Sequence, residues 1–486
     1  MKDVACRRPF LLYLQKIIAM KIKFIGAARE VTGSKHLIVT DKGKKLLLDC
    51  GMFQGKGLET DAMNRNIMVE PSEIDCIILT HAHIDHSGLI PYFYKKGFRG
   101  SVICTTATRE LCSIMLPDSG FIQENDTHWF NKKRSRQGLR PVEPIYTEKD
   151  ARDCMELFIT TEVNRRFYID NNISVKFYNT GHMLGSACAT IRVDENGHIT
   201  QIGYTGDIGR YNSYLLKAPN AFPQCDYLIT ESTYGDRLHQ DKEGAEQRLL
   251  EIIEDTCVRK KGKLIIPSFA IGRTQEIVYI LNNFYNANKL PRIPVYVDSP
   301  LATNATDIFR MHLNEFNKEV AEVLRYDDDP FGFNSLHYIT DVARSKALNE
   351  TKKPCIIISA SGMMEAGRVK HHLANNIDNP KNSVLSIGYC APTTLGARIV
   401  AGEKDISIFG MPHKVNADVY NIDTFSGHGD YSEMADYLKC QNPDKVKKVF
   451  IVHGEAKVQE KYADFLNKNN GFKNILIPEP GETFKI

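Results

Sequence analysis

One short segment constrains this chain more than any other, because four potential metal ligands fall within six residues directly after an apolar run. The run, residues 74–80, has the continuous aliphatic content of a buried strand. The ligands that follow it form the pattern H-x-H-x-D-H: His81, His83, Asp85 and His86. Among 486 residues with 15 histidines, this pattern arises by chance in roughly one chain per thousand. The fold must therefore fix a loop of metal ligands at the end of a strand.

The spacing of these ligands suits two adjacent metals. His81 and His83 are two positions apart in an extended segment, so both side chains point the same way. Asp85 and His86 lie one turn further, on a loop that curls back. Two nitrogens are too few for a catalytic zinc, which takes about three protein ligands and a water. The remaining ligands must come from elsewhere in the chain.

Three further potential ligands lie at the ends of predicted strands. His182 and Asp207 each follow a glycine, and His453 follows the apolar residues 449–452. A carboxylate such as Asp207 can bridge two cations. Imidazole and carboxylate without thiolate favour Zn²⁺ first and Mn²⁺ second. Two metals about 4 Å apart would bind a phosphate oxygen and lower the pKa of a bridging water, which predicts hydrolysis by a metal-activated hydroxide.

Each of these residues also has an ordinary structural interpretation. Taken alone, His182, Asp207 or His453 is more often a hydrogen-bonded or exposed structural residue than a ligand. Asp49, at the end of the predicted strand 45–49, either orients a ligand histidine or forms a turn. Spacing does not decide between these two roles for Asp49.

The order of predicted strands and helices indicates an α/β fold with more than one unit. Short strands come first, broken by turns and by a predicted helix at 89–96. After Gly235, helices and strands alternate, which predicts a second unit of about 180 residues with a doubly wound parallel sheet. Residues 131–150, charged and containing Pro141 and Pro144, are predicted to be a surface connection or a lid edge.

Composition narrows the environment of the protein. The net charge is only +3, with 62 Lys and Arg against 59 Asp and Glu, so a polyanionic partner would have to be bound locally. The 12 cysteines include no C-x-x-C pair, which favours a reducing cytosol and a cytoplasmic protein. No apolar run approaches the ~20 residues of a membrane span. Residues 1–19 are expected to be an extension before Met20 or a misassigned start.

Through these motifs the chain resembles the metallo-β-lactamase superfamily and, within it, the β-CASP nucleases. Asp49, residues 81–86, His182 and Asp207 match the four-part superfamily pattern, and three more residues match the β-CASP motifs: Glu231, His428 and His453. The resemblance implies a four-layer αββα metallo-β-lactamase domain interrupted by an inserted α/β β-CASP domain. The expected parts are an extension at 1–19, the first domain at 20–235, the insertion at 236–418 and the return of the first domain at 419–486.

The resemblance also implies a role for each site residue. His81, His83 and His182 would hold one zinc, Asp85, His86 and His453 the other, with Asp207 bridging. Asp85 and His428 would be catalytic, His428 as the general acid supported by Glu231. A carboxylate beside a histidine favours imidazolium, which keeps such an acid protonated near neutral pH.

The last motif discriminates between substrates. RNA-processing β-CASP enzymes have histidine where the DNA-repair branch has valine, and this chain has His453. Segments at 267–273, 361–364 and 367–368 also resemble the subgroup that contains the nuclease subunit of the cleavage and polyadenylation machinery and its bacterial relatives. Four residues are therefore expected to contact substrate: Arg273, Ser361, Arg368 and Ser426. The ordinary alternatives are paired surface arginines and turn hydroxyls.

The leading hypothesis is a zinc-dependent ribonuclease that cuts single-stranded RNA as an endonuclease and leaves a 5′-phosphate and a 3′-hydroxyl. The alternatives are a 5′-to-3′ exoribonuclease, a small-molecule hydrolase with the same metal pair, and a catalytically inactive RNA-binding scaffold. RNA is the expected partner, and a homodimer is retained as a hypothesis. No membrane partner is expected.

Overall fold

A computed structural model describes residues 19–55, 58–239, 242–388, 390 and 393–486. The expected extension at 1–19 lies almost wholly outside the described residues.

Strands within the described ranges belong to three large sheets and one hairpin. In chain order they are β1 Lys21–Gly26, β2 Lys35–Val39, β3 Lys45–Leu48, β4 Cys76–Ile78, β5 Ser101–Cys104, β6 Phe158–Thr160, β7 Arg166–Tyr168, β8 Ile173–Asn179, β9 Ala187–Glu195, β10 His198–Tyr204, β11 Tyr227–Thr230, β12 Lys263–Pro267, β13 Val295–Val297, β14 Leu336–Tyr338, β15 Cys355–Ser359, β16 Ser383–Ser386, β17 Asp405–Ile408, β18 Met411–Lys414, β19 Asp418–Asn421, β20 Lys448–Ile451, β21 Ile475–Leu476 and β22 Thr483–Lys485.

The α-helices of the same ranges cover the faces of the large sheets. They are α1 Leu58–Arg65, α2 Ile84–Ser87, α3 Ile90–Lys95, α4 Thr106–Arg136, α5 Glu148–Asp153, α6 Lys242–Ile253, α7 Arg273–Asn286, α8 Pro300–Met311, α9 Lys318–Val323, α10 Val342–Glu350, α11 Arg368–Asn376, α12 Leu395–Val400, α13 Tyr431–Leu438 and α14 Ala456–Asn470. None of the helices in the described ranges has both the length and the hydropathy of a membrane span.

Two seven-stranded sheets face each other. Their strand orders are β22-β1-β2-β3-β4-β5-β6 and β21-β20-β11-β10-β9-β8-β7. Ile22, Leu46, Ile191 and Phe450 belong to the core between the sheets. The outer faces pack against helices, as Leu111 of α4 does on the first sheet. This layering is the expected αββα arrangement, and the predicted fold class is confirmed.

The third sheet has helices on both faces. Its order is β14-β13-β15-β12-β16-β19, and every neighbouring pair in it is parallel. The aliphatic side chains of β12 point alternately to the two faces, so that Leu264 and Ile265 belong to different cores. In the sequence, the strands of this sheet come between β11 and β20, and those two strands are neighbours in the second sheet. The insertion therefore occupies the connection between two adjacent strands.

Two segments differ from what the sequence predicts. Residues 131–136 are not a surface connection, because they form the last turns of α4, and the irregular segment begins only at Gln137. The prolines at 141 and 144 follow the end of this helix. The third sheet also extends past the boundary expected at 418, because β19 covers Asp418–Asn421.

Candidate metal centre and active site

The predicted site residues lie together because the strands that carry them end at one edge of the two facing sheets. Asp49 follows β3, His81 follows β4, Asp207 follows β10 and His453 follows β20. Rigid strands fix these positions, while the loops after them turn the side chains inward. All four residues are buried.

The first group of potential ligands is formed by His81, His83, His182 and Asp207. Nε2 of His182 lies 3.1 Å from Nδ1 of His83. Oδ2 of Asp207 lies 3.4 Å from Nε2 of His81 and 3.4 Å from Nε2 of His182. Burial, together with neighbouring imidazoles, lowers the pKa of His81, His83 and His182. These rings are therefore neutral near pH 7, the form that binds a cation.

The second group is formed by Asp85, His86 and His453. Nε2 of His86 lies 3.1 Å from Nε2 of His453. Oδ2 of Asp85 lies 3.5 Å from the same nitrogen of His453. Oδ1 of Asp207 is 3.3 Å from Nε2 of His86, so the two oxygens of Asp207 face different groups. Asp207 is thus positioned between the two sets of donors.

The donors fit divalent cations. A tetrahedral ion with bonds of about 2.0–2.1 Å holds neighbouring ligand atoms roughly 3.3–3.4 Å apart, close to the separations in both groups. Nε2 of His81 and Oδ1 of Asp207 are buried and have no hydrogen-bond partner in the described structure. Buried polar atoms without a partner are costly, and a cation would satisfy both. The set contains nitrogen and oxygen donors without thiolate, which suits zinc or manganese.

The Asp49 carboxylate holds the ligand loop in place through hydrogen bonds. Its Oδ2 lies 2.6 Å from Nδ1 of His86 and accepts from the hydroxyls of Thr80 and Tyr204, while its Oδ1 accepts from the backbone N–H of Thr80. With Nδ1–H of His86 directed at Asp49, the lone pair of Nε2 faces the second group. Asp49 has a φ of 54°, a strained conformation that these hydrogen bonds hold in place.

Close backbone packing fixes the same loop. A Cβ added to Gly51 would lie 1.6 Å from the carbonyl oxygen of Asp85. The neighbouring N–H of Cys50 donates to the carbonyl of His86 at 2.7 Å. Only glycine permits the segment after β3 to lie this close to the ligand loop.

His428 and Glu231 form a pair beside the metal centre. Nδ1 of His428 lies 3.1 Å from Oε2 of Glu231 and 3.9 Å from Oδ2 of Asp207. Burial opposes a charge on the ring, but the carboxylates of Glu231 and Asp207 outweigh it and raise the pKa of His428. Glu231 is fixed by the N–H of Ile208, which donates to Oε1. The pair therefore favours the imidazolium form of His428, and the ring directs Nε2 away from the carboxylate.

The residues expected to contact substrate fall into two locations. Arg273 and Ser426 line a cavity beside His182, and the Arg273 guanidinium also pairs with Glu276. Arg368 instead donates to the buried carboxylate of Asp298 at 2.6 Å and to two backbone carbonyls. The Ser361 hydroxyl bonds within its own turn, to the carbonyl of Ala366. Only the first two are adjacent to the metal centre.

Sequence reasoning missed three contributors to the site. Thr233 contacts Nδ1 of His453 through Oγ1 at 2.9 Å, and Tyr204 donates to Asp49. Arg210 lines the same cavity as Arg273 and donates to the carbonyl of Thr424. Arg210 comes three residues after Asp207, and that proximity was the only available signal.

Comparisons with known proteins agree with this geometry. Residues 32–114 match the Metallo-beta-lactamase superfamily, residues 274–399 the Beta-Casp domain, and residues 412–478 the Zn-dependent metallo-hydrolase RNA specificity domain. The last range includes His428 and His453. The matches therefore follow the same order along the chain as the sheets described above.

Similar proteins are found in three groups of organisms. The chain is 34% identical to Ribonuclease TTHA0252 of Thermus thermophilus, over 90% of this chain and 93% of that protein. It is 32% identical to Transcription termination factor FttA of Methanocaldococcus jannaschii, over 92% of this chain and 69% of that protein. It is 31% identical to Cleavage and polyadenylation specificity factor 73 of Drosophila melanogaster, over 90% of this chain and 60% of that protein.

A four-layer sandwich that gathers histidines and carboxylates at its strand ends defines a metal-binding hydrolase of the metallo-β-lactamase type. With the inserted parallel sheet and these similarities, the chain belongs to the β-CASP family of that superfamily. Both the family and the enzyme class expected from the motifs are confirmed.

Proposed function

We propose that this protein is a zinc-dependent ribonuclease that cuts single-stranded RNA internally. The observation that carries the proposal is the His428–Glu231 pair, which lies beside Asp207 at the junction of the two ligand groups. A proton donor next to a metal centre serves bond cleavage at a phosphodiester, whose leaving oxygen needs a proton. The name of the Thermus relative supports RNA as the substrate.

The seven donor residues would hold two zinc ions. The first ion would be held by His81, His83 and His182, the second by Asp85, His86 and His453, with Asp207 shared. Bound there, two cations would polarise a substrate phosphate and lower the pKa of a water molecule. Asp49 keeps His86 in the tautomer that the second ion requires.

His428 acts on the leaving group. Glu231 holds its Nδ1–H and stabilises the imidazolium, so that the other nitrogen can give a proton to the departing 3′ oxygen. The products are a 3′-hydroxyl and a 5′-phosphate. Nδ1 also lies 3.9 Å from Oδ2 of Asp207, so a second carboxylate favours the imidazolium.

Substrate phosphates would be bound in the cavity beside His182. Arg273 and Arg210 supply positive charge there and Ser426 a hydroxyl. Arg368 is left out of this surface because it does not line this cavity and binds the buried Asp298 elsewhere. A cytoplasmic location belongs to the proposal, since the eleven cysteines in the described ranges are all free thiols. A homodimer remains a hypothesis.

End-labelled RNA tests the proposal. The purified protein is incubated with single-stranded RNA labelled at the 5′ or the 3′ end, with and without a chelator. Internal fragments from both labels, lost with the chelator, are expected. Release of mononucleotides alone from the 5′ end would instead identify a 5′-to-3′ exonuclease. If the zinc-loaded protein left RNA intact and hydrolysed a thioester, the assignment of RNA as substrate would be overturned.

A further inference from the structure

The end of α4 and the loop after it form an exposed surface that the metal centre does not use. This surface, called here the α4 surface, consists of residues 128–142. Its centre is Trp129, the only tryptophan of the chain, with 67% of its surface exposed. Phe130 and Leu139 are also exposed. Large apolar side chains grouped in this way on a protein surface are typical of a binding site.

The charge of the α4 surface has one sign. It carries five cations, Lys132, Lys133, Arg134, Arg136 and Arg140, and residues 128–142 contain no Asp or Glu. Among the residues that the structure describes, none of these five cations has a carboxylate within ion-pairing distance. Arg134 donates to the carbonyl of Arg140 and so fixes the loop against the helix. The surface is therefore complementary to a polyanion.

Aromatic and basic residues share one face of the helix. Lys132, Lys133 and Arg136 come three, four and seven positions after Trp129, which places them on the same side. Nζ of Lys132 lies 4.2 Å from the centre of the Trp129 ring, and the Arg134 guanidinium lies 5.6 Å from that of Phe130. The cations thus surround the rings instead of occupying an opposite face.

Neither the helix dipole, nor a membrane, nor a second copy of the chain accounts for the whole arrangement. Basic residues in a last helical turn stabilise the helix dipole, which explains Arg134 and Arg136 but not the exposed rings. A helix that lies on a membrane segregates apolar and basic faces, whereas here they coincide. An interface between two copies of the chain would be depleted of charge at its centre, where Trp129 has lysines beside it. Stacking rings among cations are what a single strand of nucleic acid requires.

We propose that the α4 surface binds single-stranded RNA outside the cleavage site. The inference rests on the proposed ribonuclease function and extends it to a second contact with the substrate. The helix starts beside the loop that carries His182, because the hydroxyl of its N-cap residue Thr105 donates to the carbonyl of Gly185 in that loop. Trp129 lies about 35 Å further along the axis at 1.5 Å per residue. Only an RNA long enough to cover this distance can use both contacts.

The single tryptophan gives a direct test. Single-stranded RNA of mixed sequence is titrated into the full-length protein in the presence of a chelator, and the tryptophan emission is recorded. Quenching that weakens as salt is raised is expected, because a base stacks on Trp129 while phosphates displace counterions. Unchanged emission, with an RNA that is cut once metal is restored, would overturn the inference. Emission that changes with protein concentration alone would also overturn it, in favour of self-association.

Kinetics give a second, independent readout. Trp129→Ala should raise KM for a long RNA by roughly five-fold or more and leave kcat unchanged, since one base loses its stacking partner. Trp129→Phe should restore KM, and a short oligonucleotide should be cut equally by all forms. Tyr168→Ala removes an equally exposed ring from β7 and is the matched control. A wild-type KM in Trp129→Ala would contradict RNA binding by the α4 surface but not the ribonuclease function. Quenching by an RNA that is never cut would contradict the ribonuclease function alone.

Discussion

Nε2 of His86 lies 3.1 Å from Nε2 of His453, although 367 positions separate the two residues in the sequence. The Nδ1 atom of each ring is hydrogen-bonded to an oxygen. The partner of His86 is the carboxylate of Asp49, and the partner of His453 is the hydroxyl of Thr233. Two imidazoles held in this way direct lone pairs at the same point. Strand β20 of the second sheet therefore completes a centre that the first sheet begins.

Replacement of Asp49 should weaken metal binding without removing a ligand. Asp49→Asn weakens the hydrogen bond that fixes the tautomer of His86, and such substitutions typically cost about 10–100-fold in metal affinity. Zinc titration of the apoprotein measures the effect. Asp194→Asn, which alters a carboxylate paired with Arg192 on β9, should bind zinc like the wild type. Equal affinity in Asp49→Asn would show that His86 does not depend on this carboxylate.

Replacement of His428 should separate chemistry from metal binding. His428→Ala removes the proton donor but none of the seven donor residues, so two equivalents of metal should stay bound while the cleavage rate falls by roughly 10²–10⁴-fold. Metal content and single-turnover cleavage are measured on the same sample. His198→Ala, on an exposed residue of β10, serves as control. Full activity in His428→Ala would contradict the role of general acid.

The residues singled out in the sequence lie together in the structure, whereas some elements around them differ from the expectation. His81, Asp207 and His453 were singled out because each comes at the end of a predicted strand, which is a local signal. Thr233 and Tyr204 were missed, since they contact the site only after β10, β11 and β20 become neighbours. No spacing in the chain reports such a contact.

The limits of α4 show a second cause of error. Its interior contains Pro117, and the polar residues after 122 lack the apolar spacing of a packed helix. Both signals argue against one long helix. The first half is nevertheless buried on the first sheet, and a helix nucleated there continues through residues of good helix propensity such as Lys132 and Arg136. Tertiary packing thus decides an element that local pattern leaves open.

The contribution of Asp118 to folding stability should fall as pH rises through its titration. Burial, with the nearby Glu148 carboxylate, raises the pKa of Asp118 from 3.8 to about 6. The folded Asp118 carboxyl therefore holds its proton to a higher pH than the unfolded one, so its contribution to stability is lost between about pH 4 and pH 7, by about 2 kcal/mol. In denaturant unfolding, the stability of the wild type relative to Asp118→Asn should fall over this range, and its stability relative to exposed Asp464→Asn should not. A constant difference between wild type and Asp118→Asn would contradict the assignment.

Thr233 should determine the occupancy of the second metal more than the first. Its Oγ1 lies 2.9 Å from Nδ1 of His453 and donates to the carbonyl of the same residue, so it fixes both the ring and a backbone position with a φ of 53°. Thr233→Val keeps the shape but removes the acceptor, which leaves the buried Nδ1–H without a partner and favours the other tautomer.

In that tautomer Nε2 carries the proton and cannot bind a cation. Thr233→Val should therefore bind one zinc as tightly as the wild type and the second at least ten-fold more weakly, and Thr233→Ser should restore the second. Zinc titration followed by metal analysis after gel filtration counts both sites. In the described structure the Thr233 hydroxyl bonds to His453 and not to His81, His83 or His182. Equal weakening of both sites would therefore show that the two groups are coupled through Asp207.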